Sequence, residues 1–319
     1  GGENTLYGGT GNDTIYTATS KVAGQRGDVV YGGQGIDTIV SSFNNDLIIG
    51  GEFVSNVYED LEGDWIDYSS LVSANSYGVS VNLTATTALT FIGADSDRSA
   101  YNGDYSKVYK LDSSGAVVTT DFDNLRGIDY IKGSAYSDTL KGDTSGNSIL
   151  AGAGDDTIFL DASGADYIDG GTGSNWLSLE DNYRGTIDLR SAYNTAGSTG
   201  GAVTVYNIQN VLGRSASDRD ETVWGRSDST YGETFILFGG NDTALGGAGN
   251  DLYDMGAGND RAYTNYGSDT LIGGAGIDTI DHWGNYGSGQ GAVIILNNIN
   301  AVDFNTLATG MSPLTLTNR

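Results

Sequence analysis

Cysteine is absent from this sequence of 319 residues. That excludes disulfides and thiolate metal sites, so the fold needs another kind of staple. There is one proline and one histidine, His282. A Ser-His or Cys-His catalytic machine would depend on that single residue. No H-E-x-x-H and no G-x-S-x-G is present, and the chain reads as non-enzymatic. Positive charge is scarce: 15 Lys and Arg face 41 Asp and Glu, a formal net charge of −26. Nucleic acid, which needs clustered positive charge, is thereby disfavoured as a partner. So is direct binding to an anionic membrane surface. No apolar run approaches the roughly 18 residues of a membrane helix. The stretch AVIIL (292–296) is typical, and no membrane insertion is expected.

Glycine is what the chain has in abundance, with 50 copies. They are not scattered as in a flexible linker. Asp242, Asp251, Asp260, Asp269 and Asp278 follow one another at nine-residue steps. Asp129, Asp138, Asn147, Asp156, Asp166 and Asn175 keep the same phase with a single step of ten. Asp28, Asp37 and Asp46 keep it too, as do Asn4 and Asp13. Two residues after each comes a large apolar side chain, as at Ile15, Val30, Ile39, Ile131, Leu140, Ile149 and Ile280. Ala244 and Ala262 are exceptions. Glycines stand five, four and two residues before the aspartate, as at Gly8, Gly9 and Gly11. The consensus is G-G-x-G-x-D-x-U-x, with U large and apolar. A linker has no reason to place isoleucine at every ninth position.

This pattern resembles the RTX family of calcium-binding nonapeptide repeats, in tracts 1–67, 127–178 and 233–281. The resemblance implies an all-β fold, a right-handed parallel β-roll or β-helix solenoid. Ca²⁺ takes six to eight oxygens at about 2.3–2.6 Å, so one carboxylate per nine residues cannot complete a site. Backbone carbonyls must supply the rest, and glycine lets the backbone bend far enough to aim them. The expected carboxylate and amide ligands are the aspartates and asparagines above, from Asp13 to Asp278, together with Asp64. The resemblance implies carbonyl ligands from the first and third residues of the repeat. These are Gly8, Thr10, Gly32, Gln34, Ala151, Ala153, Gly170, Thr172, Gly246, Ala248, Gly273 and Ala275. Several structural calcium ions are the implied cofactor.

A longer period overlies the short one. GVSVNL (78–83), GTIDL (185–189) and GAVIIL (291–296) look alike, and their first glycines lie 107 and 106 residues apart. The alternation in VSVNL and the β-branched content of these stretches predict strands. LRGIDYIKGSAYSD (125–138) likewise aligns with VYNIQNVLGRSASD (205–218). The chain is therefore expected to be an array of modules. Calcium tracts at 1–67, 127–178 and 233–281 alternate with β-rich insertions at 68–126, 179–232 and 282–319, the coil continuing through them on longer loops. The N-terminal GGENTLYGGTG lacks the basic and apolar regions of a signal peptide. Residue 1 falls inside a repeat, so a piece of a longer protein, with its export signal elsewhere, is expected.

Arg26-Gly27-Asp28 spells an adhesion tripeptide, but Asp28 belongs to the metal column. Asn12-Asp13-Thr14 and Asn241-Asp242-Thr243 match the N-glycosylation pattern only because the repeat does. Trp65, Tyr130, Tyr167 and Trp176 occupy the column after the aspartate and are expected to face outward. There they could stack on sugars or be covered by an insertion. The expected function is a secreted, calcium-dependent structural or adhesive surface protein of adhesin, surface-layer or fibre type. Its partners would be calcium, further copies of itself or a surface polysaccharide. The alternative is an accessory or carbohydrate-binding region of a secreted enzyme such as a lipase, protease, or alginate epimerase or lyase.

Overall fold

A computed structural model of the chain describes residues 4–17, 27–42, 45–54, 57–59, 63–71, 78–84, 87–89, 103–160, 164–180, 183, 186–190, 203–214, 219–226, 231–264, 267–282, 293–296 and 315–318. Every regular element among them is a β-strand. Most span three residues, because the repeat leaves only three positions between its aspartate and the next glycine turn. The middle one points inward. Val30, Ile39, Ile48, Ile66, Ile131, Leu140, Ile158 and Leu177 are wholly buried. Their neighbours on either side are only half-buried in strands such as Thr139–Lys141 and Ser148–Leu150. That is the alternation expected of a strand with one face on a core.

The chain divides into two compact units. One comprises Gly1–Ile158 with Asp166–Gly173, the other Phe159–Ala165 with Ser174–Arg319. In the first unit, Thr14–Tyr16, Thr38–Val40, Trp65–Asp67, Tyr130–Lys132, Ser148–Leu150 and Tyr167–Asp169 pair in that order, all parallel. The register carries Ile15, Ile39, Ile66, Ile131, Ile149 and Ile168 into one column. A second parallel set begins with Thr5–Thr10, Val29–Gln34 and Leu47–Ile49. Where repeats are uninterrupted, partners such as Val30 and Ile48, or Ile131 and Ile149, lie 18 residues apart. One coil is two nonapeptides.

The first insertion does more than lengthen a loop. Gly103–Leu111 pairs antiparallel with both Val117–Arg126 and Val79–Asn82. Those two strands then pair parallel with Leu47–Ile49 and Thr139–Lys141. The cause is local. Asp112 Oδ1 accepts the Ser114 and Ala116 amides, and Gly115 has φ 78°. This tight turn sends the chain back on itself, which forces antiparallel pairing. Beside the insertion lies a cleft of about 500 Å³, bordered by Ser106, Arg126, Asp129, Tyr130 and Asp143.

In the second unit parallel pairing runs on from one strand to the next along two series. Trp176–Leu179, Asn210–Leu212, Thr234–Ile236, Leu252–Asp254, Thr270–Ile272, Val293–Leu296 and Thr315–Asn318 form one parallel series. Thr186–Asp188, Thr222–Trp224, Thr243–Leu245, Arg261–Thr264 and Thr279–His282 form the other. Small residues in one series are balanced by large ones in the other. Ala244 and Ala262 are buried together with Phe235 and Tyr253, whose rings meet edge to face at 5.8 Å.

Candidate metal centres

The aspartates form ladders. Along a ladder, a carboxylate uses Oδ1 to accept the backbone N–H of the acidic position one coil earlier. Asp28 donates to Asp46 at 2.7 Å, Asp37 to Asp64 at 2.7 Å, Asp242 to Asp260 at 2.8 Å and Asp251 to Asp269 at 3.0 Å. Asp13 donates to Asp37, Asp138 to Asp156, Asn147 to Asp166 and Asp260 to Asp278 in the same way. Successive coils thus stack acid on acid.

The second oxygen is a different matter. Oδ2 of Asp13, Asp46, Asp242, Asp251, Asp260 and Asp269 is buried and accepts no hydrogen bond. A buried acceptor left unmade costs about 1–3 kcal/mol, more when charged. A column of them needs a cation to make folding favourable.

Glycine leaves the space for one. A Cβ on Gly8 would lie 2.9 Å from Asp13 Oδ2 and would strike the carbonyl oxygen of Gly32 in the next coil. A Cβ on Gly32 would meet Asp37 Oδ2 and the Gly50 carbonyl, and one on Gly133 would meet Asp138 Oδ2 and the Ala151 carbonyl. On Gly246 and Gly273 it would strike the carboxylates of Asp251 and Asp278. The carboxylate of one turn and the first-position carbonyl of the next therefore converge on one cradle. Position two of the turn bends through the left-handed region, as at Gly33 with φ 116°. Third-position carbonyls already take one amide each: Gly11 donates to Gln34, Gly154 to Thr172 and Gly258 to Ala275. A carbonyl has a second lone pair to offer. Thr10, Ala153 and Ala248 occupy the same third position, and Gly170 the first. No group of three or more Asp, Glu, His or Cys side chains gathers around one point among the described residues. A cation here would be held by backbone and carboxylate oxygens together, the donor set that suits Ca²⁺.

Burial sets the electrostatics. It pushes the carboxyl of Asp242 up to about 8, with Glu221 and Asp260 adding like charge. Burial likewise lifts Asp260 and Asp269 to about 7 and Asp156 to about 6. Asp251 and Asp278 are raised for the same reason.

Other turns complete themselves. Asp138 Oδ1 accepts the Val79 amide and the Ser134 hydroxyl, and its Oδ2 accepts the Ser134 amide at 2.6 Å. Asn147 Oδ1 accepts the Asp143 amide, and its Nδ2 donates to the Asp129 carbonyl. Asn175 donates through Nδ2 to the Asn207 carbonyl. Asp129 is only half-buried, and both its amide and that of Tyr130 bond the Asp64 carbonyl.

Sequence phase missed four members of the ladder. Asp123 Oδ1 accepts the Asp46 amide at 2.9 Å, and its Oδ2 accepts the hydroxyls of Ser41 and Tyr68. Glu221 donates its amide to Asp242, Glu233 donates to Asp251, and Gln209 accepts the Asn175 amide. Three of them keep the acid-x-apolar signature in Asp123–Leu125, Glu221–Val223 and Glu233–Phe235. Asp123 and Glu221 end turns of other lengths, so a fixed period skips them; Glu233 keeps the period, nine residues before Asp242, but carries glutamate where the pattern has aspartate.

Trp65 and Tyr130 are half-buried against each other, with ring centroids 5.0 Å apart. Trp176 is half-buried and Tyr167 exposed. Arg26 and the side chain of His282 lie outside the described residues.

Residues 1–18, 22–53, 125–158, 160–181, 239–262 and 263–281 match the family described as RTX calcium-binding nonapeptide repeat. The matched stretches contain the orphaned carboxylate oxygens at Asp13, Asp251, Asp260 and Asp269, and the glycine cradles at Gly8 and Gly246. Comparison with the curated proteins gave no match. Such repeats bind calcium at several structural sites and are typical of secreted bacterial proteins, and no helix among the described residues is long and apolar enough to cross a membrane. Ladder, cradle and repeat agree: the chain carries RTX calcium-binding nonapeptide repeats in several copies, and its stacked parallel strands fit a β-roll.

Proposed function

We propose that the chain is the calcium-folded structural part of a secreted surface protein of adhesin, surface-layer or fibre type, with no catalytic role of its own. The observation that carries this reading is the set of buried carboxylate oxygens without partners at Asp13, Asp242, Asp251, Asp260 and Asp269. A fold that lacks its own counter-charges is loose where calcium is scarce. It closes outside the cell, where calcium modules bind at about 10⁻⁴–10⁻³ M. The site residues named from the sequence, and the module boundaries at 1–67, 127–178 and 233–281, belong to the same reading. Repeated modules favour an extended, self-associating role over a single-site receptor. The test is sedimentation velocity in chelator and in calcium. Compaction followed by large assemblies supports the structural role, and a compact monomer at every concentration contradicts self-assembly.

A second reading is a carbohydrate-binding or accessory region of a secreted enzyme. The outward rings favour it: Tyr7 stacks on Tyr31 with centroids 5.0 Å apart, and Tyr7, Tyr16 and Tyr167 are exposed. Stacked, exposed rings suit sugar faces. A glycan array with the calcium-loaded chain decides, since binding lost on Tyr7→Ala would favour this reading over the first.

A further inference from the structure

One rung of the second unit is made through a side chain. Along this series, the residue after a strand donates its amide to the last carbonyl of the partner strand one coil on. Leu189 donates to Trp224 at 2.6 Å and Gly225 to Leu245 at 2.5 Å. Gly246 follows the strand Thr243–Leu245, and the register sets Leu245 against Tyr263. Yet the Gly246 amide donates to the Tyr253 hydroxyl at 2.8 Å, and that hydroxyl donates to the Tyr263 carbonyl at 3.1 Å. A phenol oxygen is inserted where the neighbouring rungs bond directly.

Tyr253 belongs to the other series. It is the inward residue of Leu252–Asp254, in one column with Val211, Phe235 and Leu271, and it is wholly buried. Those three side chains carry no polar atom. Ala244 and Ala262, the inward residues of the strands it reaches, spare it the volume of larger side chains. A buried tyrosine hydroxyl needs partners, and this one finds them at the turn.

Its end point is the Gly246–Asp251 cradle. A Cβ on Gly246 would strike both Asp251 Oδ2 and the Tyr253 hydroxyl, so both oxygens abut one point. Asp251 is 2 % exposed, and its Oδ2 accepts no hydrogen bond. The hydroxyl proton is engaged by the Tyr263 carbonyl and one lone pair by the Gly246 amide. A hydroxyl oxygen has two lone pairs, so one is left. Burial, and then the charges of Asp251 and Asp269, push the phenol well above its ordinary value and keep it protonated. Two buried oxygens therefore border one space with no proton between them. A hard cation that takes six to eight oxygens answers both.

We propose that the Tyr253 hydroxyl is a ligand for the cation of the Gly246–Asp251 turn, so that this site draws one oxygen from a core side chain where the repeat supplies only backbone and carboxylate. The inference rests on the calcium reading of the turns. A cation at this turn is thereby tied to the packing of the core, since the Tyr253 ring meets Phe235 edge to face.

The test uses the full chain with Tyr253→Phe, which removes one oxygen and keeps the ring. Bound calcium is counted by equilibrium dialysis over a series of free calcium concentrations. The expected result is one ion per chain that binds more weakly than in the wild type, the others being unchanged. In chains loaded with terbium, emission excited through tyrosine should fall in Tyr253→Phe and stay at the wild-type level in Tyr183→Phe, whose buried hydroxyl makes no hydrogen bond. An unchanged calcium isotherm or an unchanged emission in Tyr253→Phe overturns the proposal. So does an ion bound more tightly, or an additional ion, because the hydroxyl then blocks the cradle. If Tyr253→Phe folds at no calcium concentration, Asp251→Asn decides: its tyrosine-excited terbium emission should fall, and emission equal to the wild type overturns the proposal. A wild type that binds neither calcium nor terbium would instead overturn the calcium reading itself.

Discussion

At the scale of single residues, glycine, aspartate and the inward apolar residue have separable jobs, and each can be tested by itself. A Cβ on Gly32 would run into the Gly50 carbonyl, which is backbone and cannot move aside cheaply. Gly32→Ala should therefore raise the calcium concentration at the folding midpoint, as followed by circular dichroism. Gly33→Ala should destabilise by at least about 1 kcal/mol even at saturating calcium, because φ 116° is a region side chains avoid. Asp260 should show a change of sign. It lies between Asp242 and Asp278 in the ladder, with like charge on both sides. Asp260→Asn should stabilise the chelated chain at pH 8 by removing repulsion, yet weaken calcium binding by removing a ligand. Thermal melts with and without calcium would show both effects, and one direction in both conditions would contradict the ladder's role. The acid position itself was legible wherever the nonapeptide phase held. Asp123 and Glu221 were not, because they do their ladder bonding at the end of turns of other lengths; Glu233 keeps the phase, nine residues before Asp242, but is a glutamate in an aspartate column.

At the scale of strands and turns, the stack is held by two independent interactions: apolar columns inside and ion-bridged turns at the edges. Leu140 is wholly buried between Val81 on one partner strand and the next rung. Leu140→Ala should cost about 2–5 kcal/mol with or without calcium, since a cavity does not depend on the metal. Urea titration at two calcium concentrations checks this; a loss present only in calcium would mean the core forms later than the edges. The strands Val79–Asn82, Thr186–Asp188 and Val293–Leu296 could be read in advance from alternation in the first and from β-branched content. The antiparallel strand Gly103–Leu111 could not. Alternation marks a strand but not its partner, and the direction of pairing is decided by the Asp112–Ala116 turn, which lies outside any repeat.

At the scale of the whole molecule, the net charge of −26 and the stacked carboxylates make protons and calcium competitors. Asp242, Asp260 and Asp269 are raised in the folded state to about 8, 7 and 7 from an ordinary value of 3.8. Between about pH 4 and pH 8 the metal-free folded chain therefore holds more protons than the unfolded one. By linkage its stability falls as pH rises through that interval. The chelated chain should gain β-structure on acidification from pH 8 to pH 5. The calcium midpoint should move the other way, to higher calcium, as protons take the ligands. Each site contributes roughly RT ln(1 + [Ca]/Kd), about 1.4 kcal/mol at ten times Kd. Several sites acting together match the net stability of an ordinary domain, about 5–15 kcal/mol.

The most direct test of calcium as the missing half of the fold is circular dichroism of the full chain, titrated from chelator to about 10 mM calcium, above the range at which extracellular modules bind. The expected result is a cooperative rise of β-signal in calcium, reversed by chelator and not reproduced by the same concentration of magnesium, whose smaller shell keeps its water. A full β-signal already present in chelator at pH 8, unchanged by calcium, would contradict it.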